Sequence, residues 1–194
     1  MDPIRYQDLR GQIEDGWLLS FAGAWPESLG IRWWTNQEPG WRSWVSLAPI
    51  SHVAFAVWQD YRKASRLCVL ESVGGGPRMV PLSSLLRNYL SAGGKVYFQR
   101  PTHDKSSLVL EAALEMWGMG LRYPTEQYLA YLFGWYRYLH GEDVARDGVT
   151  CSEFCTAAVA KAGLWEDKKE PALTSPLELS ESGLYELPRR GIIL

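Results

Sequence analysis

Two of the three cysteines in this 194-residue chain stand four positions apart, in the segment GVTCSEFC. A cysteine can act as a nucleophile, ligate a metal or pack as a small apolar side chain. Thr150 followed by Glu153 has the T-x-x-E pattern of a helix capping box, and Gly163 is the expected residue after the helix end. The sequence therefore predicts a helix over about 151–162 that begins at Cys151.

The two cysteines occupy different positions in this predicted helix. Cys151 falls in the first turn, where backbone N–H groups lack partners and the helix dipole is positive. Both effects favour a thiolate, and helix N-termini are known positions of reactive cysteines. Cys155 lies one turn deeper and is expected to be a small buried hydrophobe. Of the pair, Cys151 is the better candidate nucleophile.

A thiolate nucleophile needs a base, and the chain has three histidines. His52 begins the apolar run HVAFAV, which is typical of a strand. His103 stands beside Asp104 before a predicted helix, where it can serve as a cap. His140 ends a predicted aromatic helix, where a cation is common because of the dipole. Each histidine thus has an ordinary structural role as an alternative to catalysis.

A predicted hairpin favours His52. The runs HVAFAVWQ and RLCVLES are short, apolar and separated by the polar segment 60–65, which is a hairpin pattern. A turn centred near 61–62 places His52 opposite Glu71 on one face of the sheet, and Cys68 opposite Phe55 on the other. A carboxylate beside an imidazole fixes its tautomer and stabilises the imidazolium. The spacing therefore predicts a Cys-His-Glu site, with Cys68 in the core.

A zinc site is the alternative use of the cysteine pair. Cys151, Cys155 and a histidine could ligate zinc, because zinc ligands are often separated by two to four residues. The sequence contains neither a second cysteine pair nor an H-x3–5-H segment to complete the ligand set. A nucleophile without metal or organic cofactor is therefore the favoured hypothesis.

Composition limits the class of protein. Hydrophobic residues make up 46% of the chain and the net charge is −2, which predicts one globular domain over 1–194 and no electrostatic footprint for nucleic acid. Unpaired thiols, no apolar leader and no window long enough to span a membrane predict a cytoplasmic protein. Apolar runs at 17–23, 52–59, 66–72 and 95–101 predict strands, and the triple glycine at 74–76 predicts a turn. Helical periodicity in 105–118 and in the aromatic segment 125–139 predicts helices, so the fold is expected to be α+β. The aromatic-rich segment at about 25–44 is expected to be an insertion, either packed on the core or lining a substrate groove.

The order of these motifs resembles a known family. PISHVAFAV, then LCVLES, then TCSEFCTAAVAKAGL is similar to the permuted papain-like, NlpC-type cysteine hydrolases, in their YiiX-like branch. The lecithin-retinol-acyltransferase-like proteins are relatives of that group. EDGWLLSFAG, SLGIRWWTN, GLRYP and TSPLEL are weaker matches, and in the first of them the family's Gly-Asp order is reversed. The resemblance covers most of the chain.

The resemblance implies a papain-like fold, with an antiparallel sheet or barrel packed against helices. It implies Cys151 as nucleophile, His52 as base and Glu71 as orienting group, with Tyr123 and Ser152 as oxyanion or substrate contacts. The implied activity is cleavage of an amide bond through a thioester, on peptides of the cell-wall type. A lipid acyl-ester or thioester hydrolase, an acyltransferase and a non-catalytic binding protein remain alternatives. The implied partner is a peptide-like or acyl-containing substrate.

Overall fold

A computed structural model describes residues 5–25, 28–29, 50–61, 64–122, 149–165, 170–171, 174–187 and 191–192. Within these residues the fold is α+β, as the sequence predicts. The elements in chain order are α1 (Tyr6–Arg10), β1 (Leu18–Ala22), β2 (His52–Tyr61), β3 (Ala64–Val73), β4 (Gly76–Pro81), α2 (Leu82–Ser91), β5 (Lys95–Gln99), α3 (Ser106–Gly118), α4 (Cys151–Lys161), α5 (Pro176–Ser180) and β6 (Gly191–Ile192).

The strands form one antiparallel sheet in the order β4-β3-β2-β1-β5-β6. Four of these strands match the apolar runs that the sequence predicts at 17–23, 52–59, 66–72 and 95–101. The short strand β6 pairs with β5, with Ile192 opposite Val96, so the chain's tail returns to the body of the molecule. The triple-glycine segment forms the tight β3–β4 turn, and this agrees with its prediction as a turn.

Helices pack on both faces of the sheet. Successive side chains of a strand point to opposite faces, so each central strand contributes to both interfaces. Phe55 and Leu70 point to one face, where they pack with residues of α3 and α4 such as Phe154. Ala54 and Val69 point to the other face and join α2. A strand buried on both faces carries an apolar residue at nearly every position, which explains the continuous apolar runs in β1 and β2.

The β2–β3 pairing differs from the predicted one by two residues. Cys68 lies opposite Val57 rather than Phe55, because the two strands pair as far as Tyr61 and Ala64. A shift of two residues preserves the face on which each side chain lies. Glu71 therefore stays on the face of His52, as a diagonal rather than a direct neighbour, and Cys68 stays in the core on the other face.

The cysteine-bearing helix begins as the sequence predicts. α4 starts at Cys151 with Thr150 as N-cap and a complete capping box, and ends at Lys161. Gly163 adopts a φ of +69°, a conformation that residues with a Cβ rarely adopt, so it ends the helix in the way expected of glycine.

Several predicted features lie outside the described residues: the aromatic helix at 125–139 with His140, most of the aromatic-rich segment 25–44, and Tyr123. In the part of the chain that is described, no helix has the length and apolar character needed to cross a membrane.

Candidate active site

Cys151 occupies the positive end of α4. The Thr150 side chain accepts a hydrogen bond from the N–H of Glu153, and the Glu153 carboxylate accepts one from the N–H of Thr150, each 3.3 Å long. The backbone N–H groups of Cys151 and Ser152 belong to the first turn, so the helix itself supplies no acceptor for them. Two donors are therefore available beside the sulfur of Cys151, and Ser152 itself is buried.

The sheet fixes the position of this helix start. Ser72, the second-to-last residue of β3, donates a 2.6 Å hydrogen bond to the carbonyl of Val149. The N–H of Val149 in turn donates to the carbonyl of Arg122, at 2.8 Å. These two contacts hold the backbone two residues before Cys151, so the sulfur lies at the end of the sheet where β3 finishes and β2 begins.

His52 is the first residue of β2 and lies opposite Phe21 of β1. The rings of Phe21 and His52 are 5.3 Å apart between centroids. The preceding residue, Ser51, bonds through both its N–H and its hydroxyl to the carbonyl of Phe21. The Phe21 ring therefore packs against the imidazole, and the hydrogen bonds of Ser51 fix the backbone just before His52.

His52 joins the cysteine to the carboxylate. Its Nε2 lies 2.7 Å from Oε2 of Glu71, and the Cys151 side chain lies close enough to the ring to interact with its charge. Because Nε2 faces Glu71, Nδ1 is the nitrogen left for the sulfur. Burial alone would lower the pKa of His52, but the charges and hydrogen bonds of Cys151 and Glu71 outweigh it and raise this pKa to about 10. Cys151 and Glu71 therefore favour the protonated form of the imidazole.

Glu71 is held by two cationic partners. Only 1% of the residue is exposed. Its Oε1 accepts hydrogen bonds from Nε and Nη2 of Arg78, at 2.9 and 2.8 Å, while Oε2 faces His52. Burial would raise the pKa of Glu71, but His52 and Arg78 outweigh it and hold this pKa below its usual range. The carboxylate is therefore ionised and fully occupied.

Arg78 is the member of this cluster that the sequence analysis missed. It lies on β4 directly opposite Glu71. The signal was present, because a two-residue turn at Gly74–Gly75 sets a register that pairs these two residues, and opposite charges facing each other across strands stabilise a hairpin.

Cys68, Cys155 and His103 have structural roles. Cys155 has no exposed surface, and burial raises the pKa of its thiol well above the usual range. Cys68 is buried in the core between the sheet and α4. His103 accepts a hydrogen bond from the N–H of Lys105, and its ring packs against Tyr185. The structure therefore brings Cys151, His52 and Glu71 together and keeps Cys68 and Cys155 apart as packing residues.

Among the described residues, no three His, Cys, Asp or Glu side chains form a group that could hold a metal ion. No model of a known protein family matches the chain, and no curated protein matches it.

Replacing Ser72 by alanine is expected to displace the start of α4, because the buried carbonyl of Val149 loses its side-chain donor. An unsatisfied buried acceptor costs about 1–3 kcal/mol of unfolding free energy. A small misplacement of a reacting group can also slow catalysis about 10-fold or more. Urea unfolding and the alkylation rate of Cys151 measure the two effects. Ser65→Ala, at an exposed position on the same strand, is the matched control; if the two variants behave alike, Ser72 does not position the helix.

Proposed function

We propose that this chain is a cysteine hydrolase that cleaves amide bonds through a thioester intermediate. Cys151 is the nucleophile, His52 the general acid and base, and Glu71 the group that orients and charges the imidazole. The observation that carries the proposal is the convergence of these three side chains from α4, β2 and β3. A nucleophile beside an imidazole, with a carboxylate bonded to the imidazole, is the arrangement that covalent catalysis requires.

Acylation begins with the Cys151 thiolate. Its sulfur attacks the carbonyl carbon of the substrate and forms a C–S bond, while the carbonyl electrons move to oxygen. The N–H groups of Cys151 and Ser152 stabilise this oxyanion, and one such donor contributes about 2.7–4 kcal/mol in comparable sites. His52 then gives its proton to the leaving nitrogen, the C–N bond breaks, and the thioester remains on Cys151.

Deacylation reverses the role of the imidazole. His52, now neutral, takes a proton from water as the water oxygen attacks the thioester carbonyl. The second tetrahedral intermediate releases the Cys151 thiolate and a carboxylic acid product, and the thiolate and imidazolium are restored. Glu71 stays ionised throughout and stabilises the imidazolium at each stage.

The strand order along the chain supports a finer assignment of the fold. A histidine at the start of β2, a carboxylate on β3 and a late cysteine at a helix start follow the order of the permuted papain-like, NlpC-type hydrolases. We propose that the chain adopts this permuted fold. Peptide amides are the proposed substrates, and acyl esters and thioesters of the lecithin-retinol-acyltransferase type are the alternative.

An acyl-enzyme trapping experiment tests the proposal. Incubation with p-nitrophenyl acetate is expected to add one acetyl group to the intact protein, located at Cys151 by peptide mapping. Cys151→Ala should gain none, and His52→Ala should gain it far more slowly. A panel of peptide amides and long-chain acyl esters with the same detection then separates amidase from lipid hydrolase. Acetylation spread over all three cysteines, or unchanged in His52→Ala, would contradict the proposal.

A further inference from the structure

A cavity of about 510 Å³ adjoins the candidate active site. Glu71 and Arg78 form one side of it, and α2 contributes Leu85, Asn88 and Tyr89. A volume of this size falls within the range of small-molecule sites. Glu71 and Arg78 therefore also line a cavity that is large enough to hold part of a substrate.

Aromatic rings connect this cavity to the imidazole. Trp25 and Tyr89, which line the cavity, have ring centroids 4.8 Å apart. Tyr89 also lies 4.8 Å from Phe21, whose ring contacts His52. Together with Leu85, the rings of Trp25 and Tyr89 give the cavity an apolar wall that leads toward the reacting groups.

Arg78 gives the cavity a cationic group with free donors. A guanidinium carries five N–H groups, and Arg78 uses one on Nε and one on Nη2 for Glu71. No residue of the described part accepts from the others, and 51% of the side chain is exposed. Both oxygens of Glu71 are engaged, Oε1 by Arg78 and Oε2 by His52, and only 1% of the residue is exposed, so little of this carboxylate faces an incoming anion.

We propose that the cavity binds the free carboxylate end of an amino acid or short peptide substrate. The carboxylate pairs with the free N–H groups of Arg78, and an apolar side chain packs against Trp25, Tyr89 and Leu85. This inference rests on the proposed function and narrows its substrate class to amino acids and peptides with a free carboxylate. Charge-assisted hydrogen bonds to carboxylates are among the strongest available to a binding site.

The test is binding to Cys151→Ala, which keeps the cavity and cannot turn over. N-acetyl-phenylalanine is compared with its carboxamide, which has the same shape without the charge. The carboxylate is expected to bind about 10- to 100-fold more tightly, as a hydrogen bond to a charged group predicts. Equal dissociation constants for the two ligands, measured by calorimetry, would overturn the inference.

Two further variants in the Cys151→Ala background locate the binding. Arg78→Gln should bring the two affinities to within about 3-fold of each other, since the charge that distinguishes them is gone. Ala92→Trp, at the end of α2, should fill the cavity and weaken both ligands. Arg87→Met removes an exposed arginine from the same helix and is expected to change neither. A preference for the carboxylate that survives in Arg78→Gln would place the ligand elsewhere and contradict the inference.

The outcomes separate this inference from the proposed function. If Cys151→Ala prefers the carboxylate ligand but the wild type is never acylated at Cys151, only the proposed function is overturned. Acylation at Cys151 together with equal affinities would overturn the inference alone.

Discussion

Replacing Cys151 by alanine is expected to lower kcat/KM by about 10⁴-fold or more, because removing the nucleophile of a catalytic triad leaves only binding and oxyanion stabilisation. The fold should survive, since alanine is a good helix former and Thr150 still caps α4. The measurement is hydrolysis of the best substrate of the peptide panel by the wild type and the variant at equal concentration.

Cys155→Ala is the matched control for this prediction. Cys155 lies one turn further along α4, has no exposed surface and packs in the core. Its replacement should lower the unfolding free energy by about 1 kcal/mol, which is ordinary for a core substitution, and leave kcat nearly unchanged. Loss of activity in Cys155→Ala with retention in Cys151→Ala would reverse the assignment of the nucleophile.

Glu71→Gln is expected to lower kcat about 10²- to 10⁴-fold, because a neutral amide neither stabilises the imidazolium nor fixes its tautomer. The side chain has the same shape, so the loss reports charge rather than packing. Glu115→Gln, at an exposed carboxylate paired with Lys161 on the surface, is the control and should change kcat little. An active Glu71→Gln enzyme would exclude Glu71 from the catalytic group.

Glu71→Gln is also expected to change how the unfolding free energy depends on pH. The folded protein holds the pKa of Glu71 below its ordinary value of 4.5, so the ionised carboxylate stabilises the fold above that pH. This contribution is lost as the pH falls, because protonation removes the attraction to His52 and Arg78. Urea unfolding of the wild type should therefore weaken on acidification more steeply than that of Glu71→Gln. Parallel curves would mean that the buried carboxylate is not ionised in the native state.

The start of α4 and the histidine strand could be predicted because their signals are local. Thr150 and Glu153 form a capping box within four residues, and the apolar run after His52 is typical of a buried strand. The cluster itself depends on contacts between residues far apart in the sequence. The face of Glu71 could be predicted from alternation along the strand, whereas its exact partner depends on how far β2 and β3 pair.

Two other features needed the folded structure. Helix α2 has apolar residues at helical spacing in Leu82, Leu85 and Leu86, but it follows Pro81 directly, with no capping residue to announce it. Its position on the sheet creates the cavity, which no local pattern encodes. The contact between Ser72 and Val149 likewise joins residues that only the tertiary fold brings together.

The central claim is that the Cys151 sulfur is activated by His52, and site-resolved alkylation tests it most directly. At about pH 5.5 a free thiol is almost entirely protonated, so it reacts slowly with iodoacetamide. Only 7% of Cys151 is exposed. Its alkylation rate should nevertheless exceed that of N-acetylcysteine at that pH by about 10-fold or more. Cys151 should also react before Cys68 and Cys155. His52→Ala should abolish the advantage. A Cys151 that reacts no faster than N-acetylcysteine, at a rate unchanged by His52→Ala, would contradict the account.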